Sequence, residues 1–420
     1  MGDSGRWCGG RRRTNYNKGK VLVNLEITTQ GPGKKGPPFT NHPIYLDHAA
    51  GTSLAPGVLE AMLPYLTTTW GNPSSPHHFG RKMRNALEQA RFSLAKAMGT
   101  QPEAVTFVSS GTEANHLALL SLATMAKQME RNHCIVSRAE HVSVLRLMEK
   151  LETQGLSVTR LSLSPRGEIS LKVLEEALLP TTGFVSLHYV NNETGVLQPL
   201  REIANLLQKR DIGLHTDAVQ AVGLVPIVAS HYPNTIFTLA GHKIGGPAGT
   251  GALLLPPTLT ASPQLLGGHQ EQGKRAGTEN TSGIVGLAHA LQYAVTRRTV
   301  HRRHLIALRE RFLALLREGG VSFQENGDPD LTLPHILNLS LANQSAPSFF
   351  IRLDLEGVSC STGSACSAGA WKPSHVLTAM DLPAERISSA LRFSFGPSTT
   401  LQEVSVAAQK VVRVYHSASP

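Results

Sequence analysis

Cysteine is scarce in this chain: four in 420 residues, and none of Cys8, Cys134, Cys360 and Cys366 stands in CxxC spacing. That argues against a disulfide framework or a paired-thiol metal site, and fits a reducing compartment with chemistry at individual thiols. No run of 18 apolar residues occurs, so no segment is expected to span a bilayer as a helix. Internal repeats are also missing, as is low-complexity sequence outside the first forty residues. Those forty lack the apolar stretch of a secretory signal, although they carry Arg6, Arg11, Arg12, Arg13, Lys18, Lys20, Lys34 and Lys35 against only Asp3 and Glu26. No aromatic-basic interleaving or nucleic-acid module follows Arg11-Arg12-Arg13, so direct nucleic-acid binding is not expected. Residues 1–40 read as a disordered basic tail holding much of the formal +10 charge, and the expected location is cytoplasmic. Organelle targeting is the lesser alternative, because Asp3 and the glycines suit it poorly.

The rest of the chain, in a sequence 41% hydrophobic, has the length to bury a large core. After a turn at Asp47-His48-Ala49-Ala50, a helix is expected from about 56 to 66, and the prolines of Gly71-Asn72-Pro73-Ser74-Ser75-Pro76 force a loop. A helix over 81–98 places Leu87, Ala90, Leu94 and Ala97 on one face. Apolar runs at 104–108, 134–136, 184–187, 212–214 and 235–239 then read as strands separated mostly by helix-length segments. That alternation predicts an α/β fold with a mainly parallel sheet, its ligand beyond the strands' carboxyl ends. A long helical region over 283–317 leads to a smaller unit. The expected division is a tail 1–40, a large cofactor-binding domain 41–300 whose first residues, 41–56, pack on the small domain, and a small α+β domain 301–420.

Two strand ends carry complementary chemistry. Lys243, in Leu239-Ala240-Gly241-His242-Lys243-Ile244-Gly245-Gly246, follows an apolar strand beside a glycine-rich loop, where a partly deprotonated amine could form an imine. About 25 residues upstream, Asp217 closes the strand before Ala218-Val219-Gln220, and an acid there can pair with the protonated ring nitrogen of pyridoxal phosphate. Taken alone, Lys243 would read as a surface lysine in a turn.

With the stretches below, these resemble the class V aminotransferase, NifS-like family of cysteine desulfurases and selenocysteine lyases, in order from about Ile44 to Thr400. The resemblance implies a fold-type-I pyridoxal 5'-phosphate enzyme. Ser109-Ser110-Gly111-Thr112-Glu113 joins a strand to a helix; by itself it is either an N-cap or a phosphate cradle, and the resemblance selects Gly111 and Thr112 for the cofactor phosphate. His141, in Ala139-Glu140-His141, can stack on the ring and move protons. By resemblance Asn192 of Asn191-Asn192-Glu193-Thr194-Gly195 contacts the ring hydroxyl and the substrate carboxylate, although this stretch would also make a polar turn. Gln220 is placed to hydrogen-bond the ring, or otherwise to start a helix. His242 is expected to help bind phosphate. Thr278, in the loop 267–280, would reach the partner's cofactor phosphate, which implies a homodimer; a plain surface loop is the other reading. Arg392 corresponds to the arginine that grips the amino-acid carboxylate.

Cys366, in Ser359-Cys360-Ser361-Thr362-Gly363-Ser364-Ala365-Cys366-Ser367, aligns with the persulfide-forming cysteine. Its small polar neighbours offer little apolar cover, which favours an exposed nucleophile, whereas Cys360 is left as a resolving or structural thiol. Two departures stand out. Ala240 replaces the usual serine, removing a phosphate contact and weakening cofactor retention by about 1.5–3 kcal/mol; Pro397 stands where arginine is common. The implied activity is desulfuration of L-cysteine to L-alanine, with Lys243, Cys366 and His141 catalytic and sulfur passed to an iron–sulfur scaffold or tRNA-thiolation protein. A selenocysteine lyase, a binding protein without turnover and an aminotransferase are the rivals; the last would not need Cys366.

Overall fold

A computed structural model describes residues 43–363 and 372–417; the expected tail and the Cys366 stretch lie outside the described residues. Twelve strands are described, in chain order β1 (Ile44–Tyr45), β2 (Val105–Val108), β3 (His133–Ser137), β4 (Ser157–Leu161), β5 (Thr182–Ser186), β6 (Gly213–Asp217), β7 (Thr235–Ala240), β8 (Gly251–Leu254), β9 (Phe323–Glu325), β10 (Ile336–Leu341), β11 (Val358–Ser359) and β12 (Ala390–Ser394). Seven form one sheet in the order β2-β8-β7-β6-β5-β3-β4. The run from β4 to β7 is parallel, as the alternation of strands and helices predicts. β8 runs antiparallel between β7 and β2, so β2 points the same way as the parallel strands. The carboxyl ends of β2, β3, β5, β6 and β7 therefore share one edge, where a ligand is expected.

Every residue of β2, β3, β7 and β8 is buried, as strands covered by helices on both faces must be. Two sheet members are not among the strands expected from sequence. β4 is an edge strand whose residues, apart from Leu161, are only partly covered, and it has no continuous apolar run. β8 is short and apolar but follows a glycine-rich turn without an intervening α-helix. The expected long helix also divides, into Thr281–Thr296 and Arg298–Glu318, with Arg297 at φ −99°, ψ 6° between them. The Thr296 hydroxyl donates to the carbonyls of Gln292 and Tyr293, at 2.8 and 3.1 Å, and such back-bonding bends a helix.

The remaining strands form the antiparallel sheet β12-β10-β9 and the parallel pair β1-β11. Ile44 and Leu46 join one apolar cluster with Leu305, Phe312, Phe393 and Phe395. Phe312 lies with its ring centroid 5.0 Å from Phe393 and 5.8 Å from Phe395. Such pairs contribute about 0.5–1.5 kcal/mol beyond their burial. Cys360 is buried in the same cluster, and burial pushes its thiol well above the ordinary range. A thiol so packed among apolar side chains behaves as a small hydrophobe, as the structural reading of Cys360 expects. No described helix is long and apolar enough to cross a membrane.

Candidate active site

The short turn Gly241–Lys243 ends β7 and carries the amine out beside the residues before the first helix. Lys243 Nζ donates to the carbonyls of Ala49 and Ala50, at 2.7 Å each. Neighbouring bonds fix this wrapping: Thr52 N donates to the His242 carbonyl at 2.9 Å, and Gly245 N to Thr52 Oγ1 at 2.8 Å. Burial, aided by Arg392, pushes the Lys243 amine down to about 8 against the opposing pull of Asp47 and Asp217. A fraction of the amine is thus unprotonated near neutrality, as a lysine nucleophile needs.

Asp217 closes β6. Its Oδ1 accepts from Val219 N at 3.0 Å and its Oδ2 from Asn115 Nδ2 at 2.9 Å. Asn115, on the helix Gly111–Gln128, also donates to Ser143 Oγ at 3.0 Å, and Ser143 Oγ lies 2.8 Å from His141 Nδ1. A hydrogen-bonded chain therefore connects Asp217 to His141. Ser143 N also donates to His141 Nδ1 at 3.2 Å, capping the helix Val142–Thr153 and assigning the neutral imidazole's proton to Nε2. Burial, with Lys243 nearby, holds this histidine below its usual range. Behind the chain lies His215, pushed down to about 4 by burial and bonded to Ser186 Oγ at 2.8 Å and to Asn115 Oδ1 at 3.1 Å. Sequence reading missed Asn115, Ser143 and His215. The only local signal was their placement on a helix or strand already implicated.

At the carboxyl end of β2, Ser110 Oγ accepts from Glu113 N and starts the helix Gly111–Gln128. The preceding amides of Gly111 and Thr112 are the helix-start donors available to a phosphate. A Cβ on Gly111 would lie 3.4 Å from the Ala240 Cβ, so the position that departs from the family pattern borders this helix start. His242 lies near it in sequence, held below its usual range by burial and Lys243.

Arg392, on β12, donates from one terminal nitrogen to the Asn192 carbonyl at 2.8 Å and from the other to Asp47 Oδ1 at 2.7 Å. Its Nε is buried without a hydrogen-bond partner among the described residues. Asn191 is the more structural of the asparagine pair, its Oδ1 accepting from Glu193 N and Thr194 N. Gln220 is turned toward the N-terminal segment, donating to the Ala49 carbonyl at 2.9 Å and approaching His335 Nε2 at 3.4 Å. Thr278 lines a separate recess with Phe107, Ser109 and Arg275. Cys366 lies outside the described residues. The structure thus gathers Lys243, Asp217, His141, Arg392 and the Gly111–Thr112 helix start, and leaves Thr278 apart within one chain.

Residues 44–406 match the aminotransferase class-V family. The chain belongs to it. Among members, it is 42% identical over 372 residues to "Putative cysteine desulfurase IscS 1" of Bacillus subtilis, covering 88% of this chain and 98% of that protein. A solved structure described as a NifS-like protein has a TM-score of 0.83 at 29% identity, covering 89% of this chain and 99% of the other. Another, "SspA in complex with cysteine", has a TM-score of 0.75 at 34% identity, covering 85% and 99%. As a class-V enzyme of this group the protein is pyridoxal-phosphate dependent. The donor set fits that group: an amine pushed down to about 8 at a strand end, a carboxylate across from it, and a helix start beside Ala240. Among the described residues no cluster of His, Cys, Asp and Glu could hold a metal ion.

Proposed function

We propose that the protein is a pyridoxal-phosphate-dependent cysteine desulfurase, which converts L-cysteine to L-alanine and takes the sulfur onto Cys366 as a persulfide. The observation that carries the site reading is the convergence of Lys243, Asp217, His141 and Arg392 on one edge of the sheet in a chain with cysteine-desulfurase relatives. When bound, the cofactor supplies an electron sink, and Asp217 is suited to keep its ring nitrogen protonated. Lys243 would hold the cofactor and, once released by substrate, take up a proton. His141, with its Nε2–H, is the second proton carrier. Gly111, Thr112 and His242 would hold the phosphate, with Thr278 supplied by the partner subunit of a homodimer. Asn192 would face the ring and Arg392 the substrate carboxylate, sharing its guanidinium with Asp47, while Gln220 is held on the Ala49 carbonyl. In the sulfur transfer the carbon–sulfur bond of substrate breaks as a sulfur–sulfur bond to the Cys366 thiolate forms. Protonation of the former β-carbon then gives alanine. An iron–sulfur scaffold or tRNA-thiolation protein is the proposed acceptor, and residues 301–420 the small domain bearing the thiol.

The test is alanine release from L-cysteine by the cofactor-loaded protein under reductant, beside Cys366→Ala. Alanine and sulfide from the parent and little of either from the variant are expected. No product from a parent that binds its cofactor would overturn the reading, and L-selenocysteine run in parallel tests the lyase alternative.

A further inference from the structure

Directly after Asn192, whose carbonyl receives Arg392, the chain buries a carboxylate that the reaction itself does not use. Glu193 is 1% exposed, and its backbone is fixed on both sides: its N–H donates to Asn191 Oδ1 at 2.9 Å and its carbonyl accepts from Asn338 Nδ2 at 3.1 Å. The side chain reaches the two described stretches that flank residues 364–371. On the near side, a Cβ on Gly363 would lie 2.7 Å from Glu193 Oε2, and Gly363 has φ +84°, so only glycine suits the close passage of that backbone. On the far side, Ser374 Oγ donates to the same Oε2 at 2.5 Å while accepting from Leu377 N at 3.1 Å to cap the helix His375–Ala379. His375 Nδ1 stands 3.9 Å from Glu193 Oε1, and its Nε2 is 2.9 Å from the carbonyl of Glu140, the neighbour of His141.

We propose that Glu193 is a positioning residue: one carboxylate, bonded to Ser374 beyond the segment that carries Cys366 and packed closely against Gly363 before it, fixes these two flanks relative to Arg392 and so sets where the thiol meets the substrate sulfur. Burial raises the Glu193 carboxyl above its ordinary range, against the opposing pull of Ser374, His375 and Arg392. A carboxylate kept in so dry a place is costly unless its bonds do something an apolar side chain could not. Here they tie together stretches far apart in sequence, since Glu193 and Ser374 are separated by 181 residues. The proposal rests on Cys366 being the acceptor thiol.

The experiment uses full-length, cofactor-loaded protein as parent, Glu193→Gln, Glu193→Ala, Ser374→Ala and Cys366→Ala. Three readouts are taken: kcat and KM for alanine formation, the absorbance response of the bound cofactor to L-cysteine, and the iodoacetamide alkylation rate of Cys366 by peptide mass. The expected result for Glu193→Ala is a kcat at least tenfold lower, with KM and the absorbance response within twofold of the parent and the alkylation rate changed more than threefold. Ser374→Ala should follow in the same direction, and Glu193→Gln, which can still accept the Ser374 bond, should lie between parent and alanine variant. Parental kcat and alkylation in both alanine variants would overturn the proposal, as would joint loss of kcat and absorbance response in both, the mark of a general structural role. A Cys366→Ala protein that still forms alanine at the parental rate would refute the thiol assignment and the clamp with it. Loss in Cys366→Ala with parental Glu193 variants would refute the clamp alone.

Discussion

A lysine that must react as an amine is made useful here by where its strand ends. Lys243 is desolvated and stands near Arg392, which together bring it down to about 8 against the pull of Asp47 and Asp217. Below that value each unit of pH removes about nine-tenths of the remaining free amine. The rate at which cofactor-free protein takes up pyridoxal phosphate should therefore rise about tenfold per unit from pH 6 to 7.5 and level off above about 8. Stopped-flow absorbance of the bound cofactor measures this, and a rate still climbing steeply between pH 9 and 10 would contradict it. At the same scale, His141 is held below its usual range by burial with Lys243 nearby, and its Nδ1 accepts from Ser143 N. Asp217 is held by Asn115, the residue that also bonds Ser143.

Among the elements, the loop over 267–280 is firmly tied at one end. Glu271 is buried and grips Arg91 of the helix His78–Ala97 through two bonds of 2.8 Å, while its Oε2 also accepts from Phe107 N on β2. Glu271 and Gln272 take positive φ, 47° and 59°, at this anchor, and Arg275 pairs with Glu113 in the first turn of the helix Gly111–Gln128. Both Arg91 and Glu271 are almost wholly covered. Removing one buried partner leaves the other charge uncompensated, so Glu271→Ala should cost roughly 3–5 kcal/mol, read by urea unfolding. A loss below about 1 kcal/mol would show that the loop is not anchored through this pair. The sequence displayed the loop's composition, but Arg91 lies 180 residues away and no local pattern links the two.

For the molecule as a whole, acid stability should depend on buried neutral histidines. His215 is held down to about 4 and His335 to about 3, chiefly by burial. A group whose folded value is depressed contributes stability fully present above its unfolded value, about 6.5, and lost as pH falls toward the folded one. For His215 the loss therefore develops between about pH 6.5 and 4. The buried carboxyls Glu140 and Glu193 are raised and act in the opposite sense over the acid range. The informative quantity is thus a difference. In His215→Asn the melting temperature should be lower at pH 7, through lost bonds, yet fall less steeply than the parent's between pH 6.5 and 4.5. Equal slopes would exclude His215 as an acid-sensitive group.

Local sequence was enough for the alternation of strands and helices, for the strand ends at Asp217 and Lys243, and for the helix start at Gly111, because periodicity, glycine and capping chemistry act over a few residues. It did not reveal the short reversed strand β8 or the edge strand β4, whose places depend on their neighbours in the sheet. Nor could it show that Cys360 is packed away or that Gln220 turns to Ala49. The pairing of Arg392 with Asp47 and the meeting of Gly363 and Ser374 at Glu193 join residues far apart in sequence. Such pairings were decided only when the packed sheets and the N-terminal segment brought distant backbone together and excluded the water that would otherwise have served these polar groups.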